Sequence, residues 1–130
     1  MTPTTKQFDA ILSYLDRFSA EGFTAGTWHE NSDHTLWFEF SDLVSEFRQA
    51  LYDNGWTPRS FEWPKWQETA QKYVAEPGRI DSADIETIKK LFTTHIRKDR
   101  FCDGHLAVMF ENGHIVALLR RLQELRSQIG

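Results

Sequence analysis

The thirteen residues "THIRKDRFCDGHL", Thr94 to Leu106, hold five formally charged side chains, two histidines and the chain's only cysteine. Each of these residue types has a chemistry. An imidazole with a carboxylate one helical turn away makes a general base held in one tautomer, and His95 and Asp99 have that spacing. Arg97, Arg100 and His105 can hold a small anion, helped by free N–H groups where the next helix starts. Cys102, Asp103 and His105 are metal-ligating types, with His95 or His114 to complete a set. Zinc sites, however, draw their force from repeated paired spacings, which this stretch lacks, so no metal is expected.

The same residues also have a structural reading. A 100° step per residue puts His95 inside the apolar stripe of its helix, where a core histidine bonded to a neighbour is ordinary. Arg97, Lys98 and Arg100 sit where a helix ends, and cations are favourable there beside the negative end of its dipole. Phe101 is expected to plug into the core, with Arg100 paired to Asp99 or Asp103 to stiffen the corner. The candidate anion-binding residues are therefore His95, Arg97, Asp99, Arg100, Asp103 and His105, and none is assigned a catalytic role.

The elements that must position this corner follow from hydrophobic periodicity. Phe8, Ile11, Leu12, Leu15 and Phe18 make residues 5–19 an amphipathic helix ended by Gly22. The stretch "TAGTWHENSDHTLWFEF" loses that period and reads as a loop with room for one short strand near residues 35–40, at Leu36, Phe38 and Phe40. Ser41 caps a second helix that runs to Asn54-Gly55. Pro64 sits in the first turn of a third, which Pro77-Gly78 ends. Asp81 or Ser82 caps a fourth, ending between Arg97 and Arg100.

"HLAVMFENGHIVALL" is ambiguous, because Asn-Gly between apolar runs is a strong hairpin signal. The second run keeps helical period through Leu118, Leu122, Leu125 and Ile129, well past hairpin length, so the reading is helix, glycine, helix. The expected fold is all-α: one domain over residues 1–130, of five or six helices.

Other stretches carry weaker signals. "HENSDH", His29 to His34, has one residue too many for the zinc-protease spacing and lies outside any helix, leaving only a faint loop-metal reading. "GWTPRSFEWPKW" gathers Trp56, Phe61, Trp63 and Trp66 beside Arg59 and Lys65. Those aromatics either anchor the third helix or, if exposed, stack bases or grip a partner. Arg120, Arg121 and Arg126 on the last helix raise a DNA-binding reading, which the acidic balance of the chain argues against.

The 130 residues carry a net charge of −4, one cysteine and no apolar run near membrane-spanning length. These features give no general attraction to nucleic acid or membrane and fit a reducing, cytoplasmic setting. No glycine-rich phosphate loop or nucleophile elbow occurs, so the balance leans away from an enzyme, and no cofactor is implied.

The runs "FEWPKW" and "ADIETIKKLFTTHIRKDRFCDGHLAVMFENGHIVALLRRL" resemble a family of short bacterial proteins known only as a domain of unknown function. In that family an F-x-W-x-x-W element, here Phe61, Trp63 and Trp66, precedes a helix. An R-x-D-R-F-x-x-G corner, here Arg97, Asp99, Arg100, Phe101 and Gly104, leads into a G-x-I-x-x-x-L-x-R-L helix, here Gly113, Ile115, Leu119, Arg121 and Leu122. The resemblance is good over about the last 70 residues and loose before them. It implies a helical fold in a bacterial cytosol and supplies no activity. The functional expectation is a small protein-binding or adaptor module whose partner is another protein. The alternative is a receptor or enzyme for a small anion, built on the Arg/His corner at 95–105.

Overall fold

In the computed structural model, which describes residues 2–129, the chain folds into seven α-helices, one 3-10 turn and a two-stranded hairpin. The helices are α1 (Thr5–Leu12), α2 (Leu15–Phe18), α3 (Asp42–Asp53), α4 (Trp63–Ala75), α5 (Ile85–Asp99), α6 (His105–Glu111) and α7 (His114–Ser127). Strands β1 (Gly26–Glu30) and β2 (Leu36–Phe40) lie between α2 and α3. None of the described helices is long and apolar enough to cross a membrane.

The fold is mostly helical, but the all-α expectation needs correcting at the hairpin. β1 and β2 pair antiparallel, Trp28 opposite Phe38 and Glu30 opposite Leu36. Asn31 donates to the Thr35 carbonyl at 2.9 Å and His34 to the Asn31 carbonyl at 2.9 Å, with His34 at φ +68°. A left-handed residue closing a short loop suits the twist of a hairpin. Asp33 holds the turn by accepting from the Thr35 amide and hydroxyl.

The helix count also exceeds the expected five or six, because residues 5–19 do not form one helix. The Ser13 hydroxyl donates to the Ala10 carbonyl at 3.2 Å, a local bond that competes with helix propagation, and the chain makes a turn before α2. Phe8, Ile11, Leu15 and Phe18 still face the same core. At the other boundaries the expectations held for Ser41, whose hydroxyl accepts from the Val44 amide, and for Pro64 in the first turn of α4. The α5 cap is Asp84 rather than Asp81 or Ser82, because Pro77–Ser82 forms the 3-10 turn and Asp84 is the first residue free to accept from the Thr87 amide, at 2.8 Å.

The core joins α1, α2, α3, α5, α6 and α7. Phe18 lies against Phe47 and Phe110 with ring centroids 4.9 and 5.0 Å away, in the edge-to-face arrangement aromatic rings prefer. Trp56 is fully buried beside Phe8, and its indole N–H donates to the Gln7 carbonyl at 3.0 Å, so its one polar group is satisfied. Asn112-Gly113 separates α6 from α7 as helix–glycine–helix, with Gly113 at φ +82°. Arg126 ties α7 to α1 through Asp9, and Arg121 ties it to the Ala83 carbonyl, so two of the three arginines raised for DNA contact are held within the fold.

Candidate functional site

Helix α5 has two faces, and they divide the residues of the charged corner between them. Ile88, Leu91, Phe92, His95 and Asp99 turn inward and are buried. Thr93, Ile96, Arg97 and Arg100, spaced three and four apart, form a second stripe and line a cleft of about 640 Å³. Ser45, Arg48, Gln49 and Tyr52 of α3, again at helical spacing, make the opposite wall, and Thr57 and Arg59 close one end. Four guanidinium groups thus face one cleft, and none of its lining residues is a carboxylate.

The four arginines are held differently. Arg97 donates from Nη1 to the Phe61 carbonyl at 3.2 Å and from Nη2 to the Pro58 carbonyl at 2.9 Å. It clamps the loop that carries Arg59 against α5. Arg59 donates to the Tyr52 hydroxyl and lies over that ring, 5.4 Å from its centroid. Arg48 lies over the Phe40 ring at 5.2 Å. Among the described residues neither Arg48 nor Arg100 has an ion pair or a side-chain hydrogen bond, so the expected Arg100–Asp99 or Arg100–Asp103 pair does not form. Arg100, the C-cap of α5, is exposed at the cleft, whereas Asp99 is buried with its carboxylate held by the Leu106 amide and near the Arg48 charge.

Both aspartates instead serve the backbone. Asp99 Oδ1 accepts from the Leu106 amide at 2.9 Å, occupying the start of α6 where an external anion was expected to bind. Burial raises the Asp99 carboxyl above its ordinary range. Asp103 Oδ2 accepts from the Phe38 amide at 2.8 Å, pinning the hairpin to the corner. The expectation that Phe101 plugs into the core is overturned as well. It is 77% exposed, and its ring stacks on Trp63.

The histidines form a separate constellation. His95 is 2% exposed; its Nδ1 lies 3.0 Å from His105 Nε2, and its Nε2 lies 3.1 Å from His114 Nε2. A neutral imidazole has one N–H and one acceptor nitrogen, so the three rings form a directional chain with one proton in each link. The general-base pairing of His95 with Asp99 is therefore absent, since both His95 nitrogens are engaged by imidazoles. Burial holds His95 well below the usual histidine range, with the two neighbouring rings and Lys98 adding to it. Burial, then His105, lowers His114 to about 4. Burial, then Lys98, lowers His105.

Of the six candidate anion contacts, then, Arg97 and Arg100 share a cleft, His95 and His105 share a buried chain, and Asp99 and Asp103 hold backbone. Among the described residues no group of three His, Cys, Asp or Glu is arranged to hold a metal ion. At the hairpin turn His34 bonds Glu30, and across the two strands His29 bonds Glu39, both as exposed pairs. Arg48, Gln49 and Tyr52 line the cleft without having been singled out in the sequence, and Arg59, singled out beside the aromatic cluster, belongs to the cleft instead. A polar stripe at Ser45, Arg48, Gln49 and Tyr52 beside the apolar stripe of α3 was the one available signal.

No curated protein and no solved structure matches the chain. A model of a family of unknown function (DUF6508) matches residues 3–128, nearly the whole chain, and the protein belongs to that family.

Proposed function

We propose that the protein is a receptor for a small, multiply charged anion of the phosphate class, held in the cleft between α3 and α5. The observation that carries this reading is four guanidinium groups around one cleft without a lining carboxylate, in a chain whose net charge is −4. Like charges collected on one surface cost stability unless something compensates them. Guanidinium forks match phosphate oxygens two at a time, so a ligand with several phosphoryl groups satisfies both the charge and the unused donors. Arg100 and Arg48 have donors unused by any side chain among the described residues, although Asp99 already balances part of the Arg48 charge. Arg97 contributes charge while holding the Arg59 loop in place. The reading keeps the alternative weighed from the sequence and moves its site from the corner itself to the outer face of α5. A cytoplasmic setting is part of the proposal.

The adaptor reading rests on the hairpin, where Trp28, Leu36 and Trp37 are exposed, and nothing in the fold says what would cover them.

The test is calorimetric titration with inorganic pyrophosphate and tripolyphosphate at two salt concentrations. The expected result is saturable binding at one site, weakened at least about tenfold in Arg48→Gln and in Arg100→Gln and unchanged in Arg120→Gln, which lies outside the cleft. Absence of saturable heat with either anion, or equal effects of all three substitutions, would refute the proposal.

A further inference from the structure

We infer that the anion bound in this cleft is a nucleotide, its phosphates on the arginines and its base on the Phe101–Trp63 pair. This inference rests on the cleft being a polyphosphate site. It is carried by a second observation, an exposed aromatic shelf that the fold does not need. Phe101 is the most exposed of the large hydrophobic side chains among the described residues, and the core closes without it. Its ring lies 5.8 Å from that of Trp63, 29° from parallel, so the two present aligned aromatic surface at the end of α5.

The shelf adjoins the cleft through covalent and hydrogen-bonded links. Phe101 follows Arg100 directly. The Phe61 carbonyl accepts both from the Trp63 backbone amide, at 3.0 Å, and from Arg97 Nη1, at 3.2 Å, so the backbone that carries Trp63 is tied to the Arg97 side of the cleft, with both rings beyond the cleft's own lining. A planar base has a face that stacks on such a surface, whereas an inorganic phosphate or a polycarboxylate has none. The pairing of arginines with an outlying aromatic stack therefore selects a phosphorylated molecule with a flat ring at a short distance from its phosphates. A mononucleotide has those parts and fits a cleft of about 640 Å³ together with its rim.

The experiment compares adenosine and guanosine triphosphates with tripolyphosphate by titration calorimetry on the full chain. Tripolyphosphate carries at least as much charge, so tighter nucleotide binding has to come from the base. The expected result is a nucleotide bound about tenfold more tightly than tripolyphosphate. Phe101→Ala should remove that gain and leave tripolyphosphate binding unchanged. Because Phe101 is exposed, this variant folds, and an unchanged circular dichroism spectrum checks it. Equal affinity for nucleotide and tripolyphosphate overturns this inference while leaving the polyphosphate site standing, whereas no binding of either overturns both. Tighter binding of a single-stranded oligonucleotide than of either triphosphate overturns it in favour of a nucleic-acid polymer.

Discussion

Lowering the pH from 7 to 5 should destabilise this protein through its buried histidine chain. In the fold His114 is held at about 4 by burial and by its neighbour, while in the unfolded chain it titrates near the ordinary histidine value of 6.5. Its folded form stays neutral at pH 5, so the unfolded state binds more protons and gains free energy as acid is added. For His114 alone, that linkage amounts to about 2 kcal/mol lost between pH 7 and pH 5. His95 and His105, both lowered chiefly by burial, act in the same direction. The His114 part alone is a sizeable fraction of the stability of an ordinary domain. Asp99 works in the opposite sense, because its raised folded pKa means acidification relieves it, and it offsets part of the loss. Asp33 and Asp84, both lowered by bonds from Thr35 and Thr87, lose their contribution only as the pH falls through about 3.8 and below, outside the window.

Urea unfolding followed by tryptophan fluorescence at pH 7, 6 and 5 measures this loss directly. His114→Gln keeps a neutral donor and acceptor in the chain and should cut the slope by about 1 kcal/mol per pH unit, averaged from pH 7 to pH 5. A stability that is flat or rising from pH 7 to pH 5, or a slope unaltered in the variant, would refute the reasoning.

Two backbone positions and one carboxylate give further tests. A β-carbon at Gly26 would fall 2.0 Å from the Glu39 carbonyl oxygen, whereas at Gly104 it would fall 2.4 Å from the edge of the half-exposed Trp28 ring. Backbone cannot give way and an exposed ring can. Gly104→Ala should therefore cost about 1–3 kcal/mol and turn Trp28 out to solvent, seen as a red shift in emission, while Gly26→Ala should cost more and dissolve the hairpin. Asp103→Ala leaves the Phe38 amide without its acceptor; it should cost about 1 kcal/mol and speed hydrogen exchange at Phe38 without altering exchange in α7.

The sequence made most of the helices legible because their signals are local. The stripe and cap of α3, the proline of α4 and the unbroken period of α7 each act within a few residues, and at Asn112-Gly113 the length of the following period decided correctly between helix and hairpin. β1 was illegible because "GTWHE" has one large apolar residue, and its pairing depends on a partner strand across the turn. His95 was correctly placed on the buried face. Its partners were not, since His105 and His114 reach it only once α6 and α7 fold back. The cleft was half legible: Arg97 and Arg100 stood out in a dense charged run and Arg59 beside an aromatic cluster, while Arg48 joins them through tertiary packing and carried no mark of its own.

The most direct test of the central claim is an NMR titration of the arginine Nε–Hε signals with tripolyphosphate. Saturable shifts are expected in Arg48, Arg59, Arg97 and Arg100 together, at one common affinity, with Arg17 and Arg120 unmoved. Shifts spread evenly over surface arginines, or none in the four that line the cleft, would contradict it.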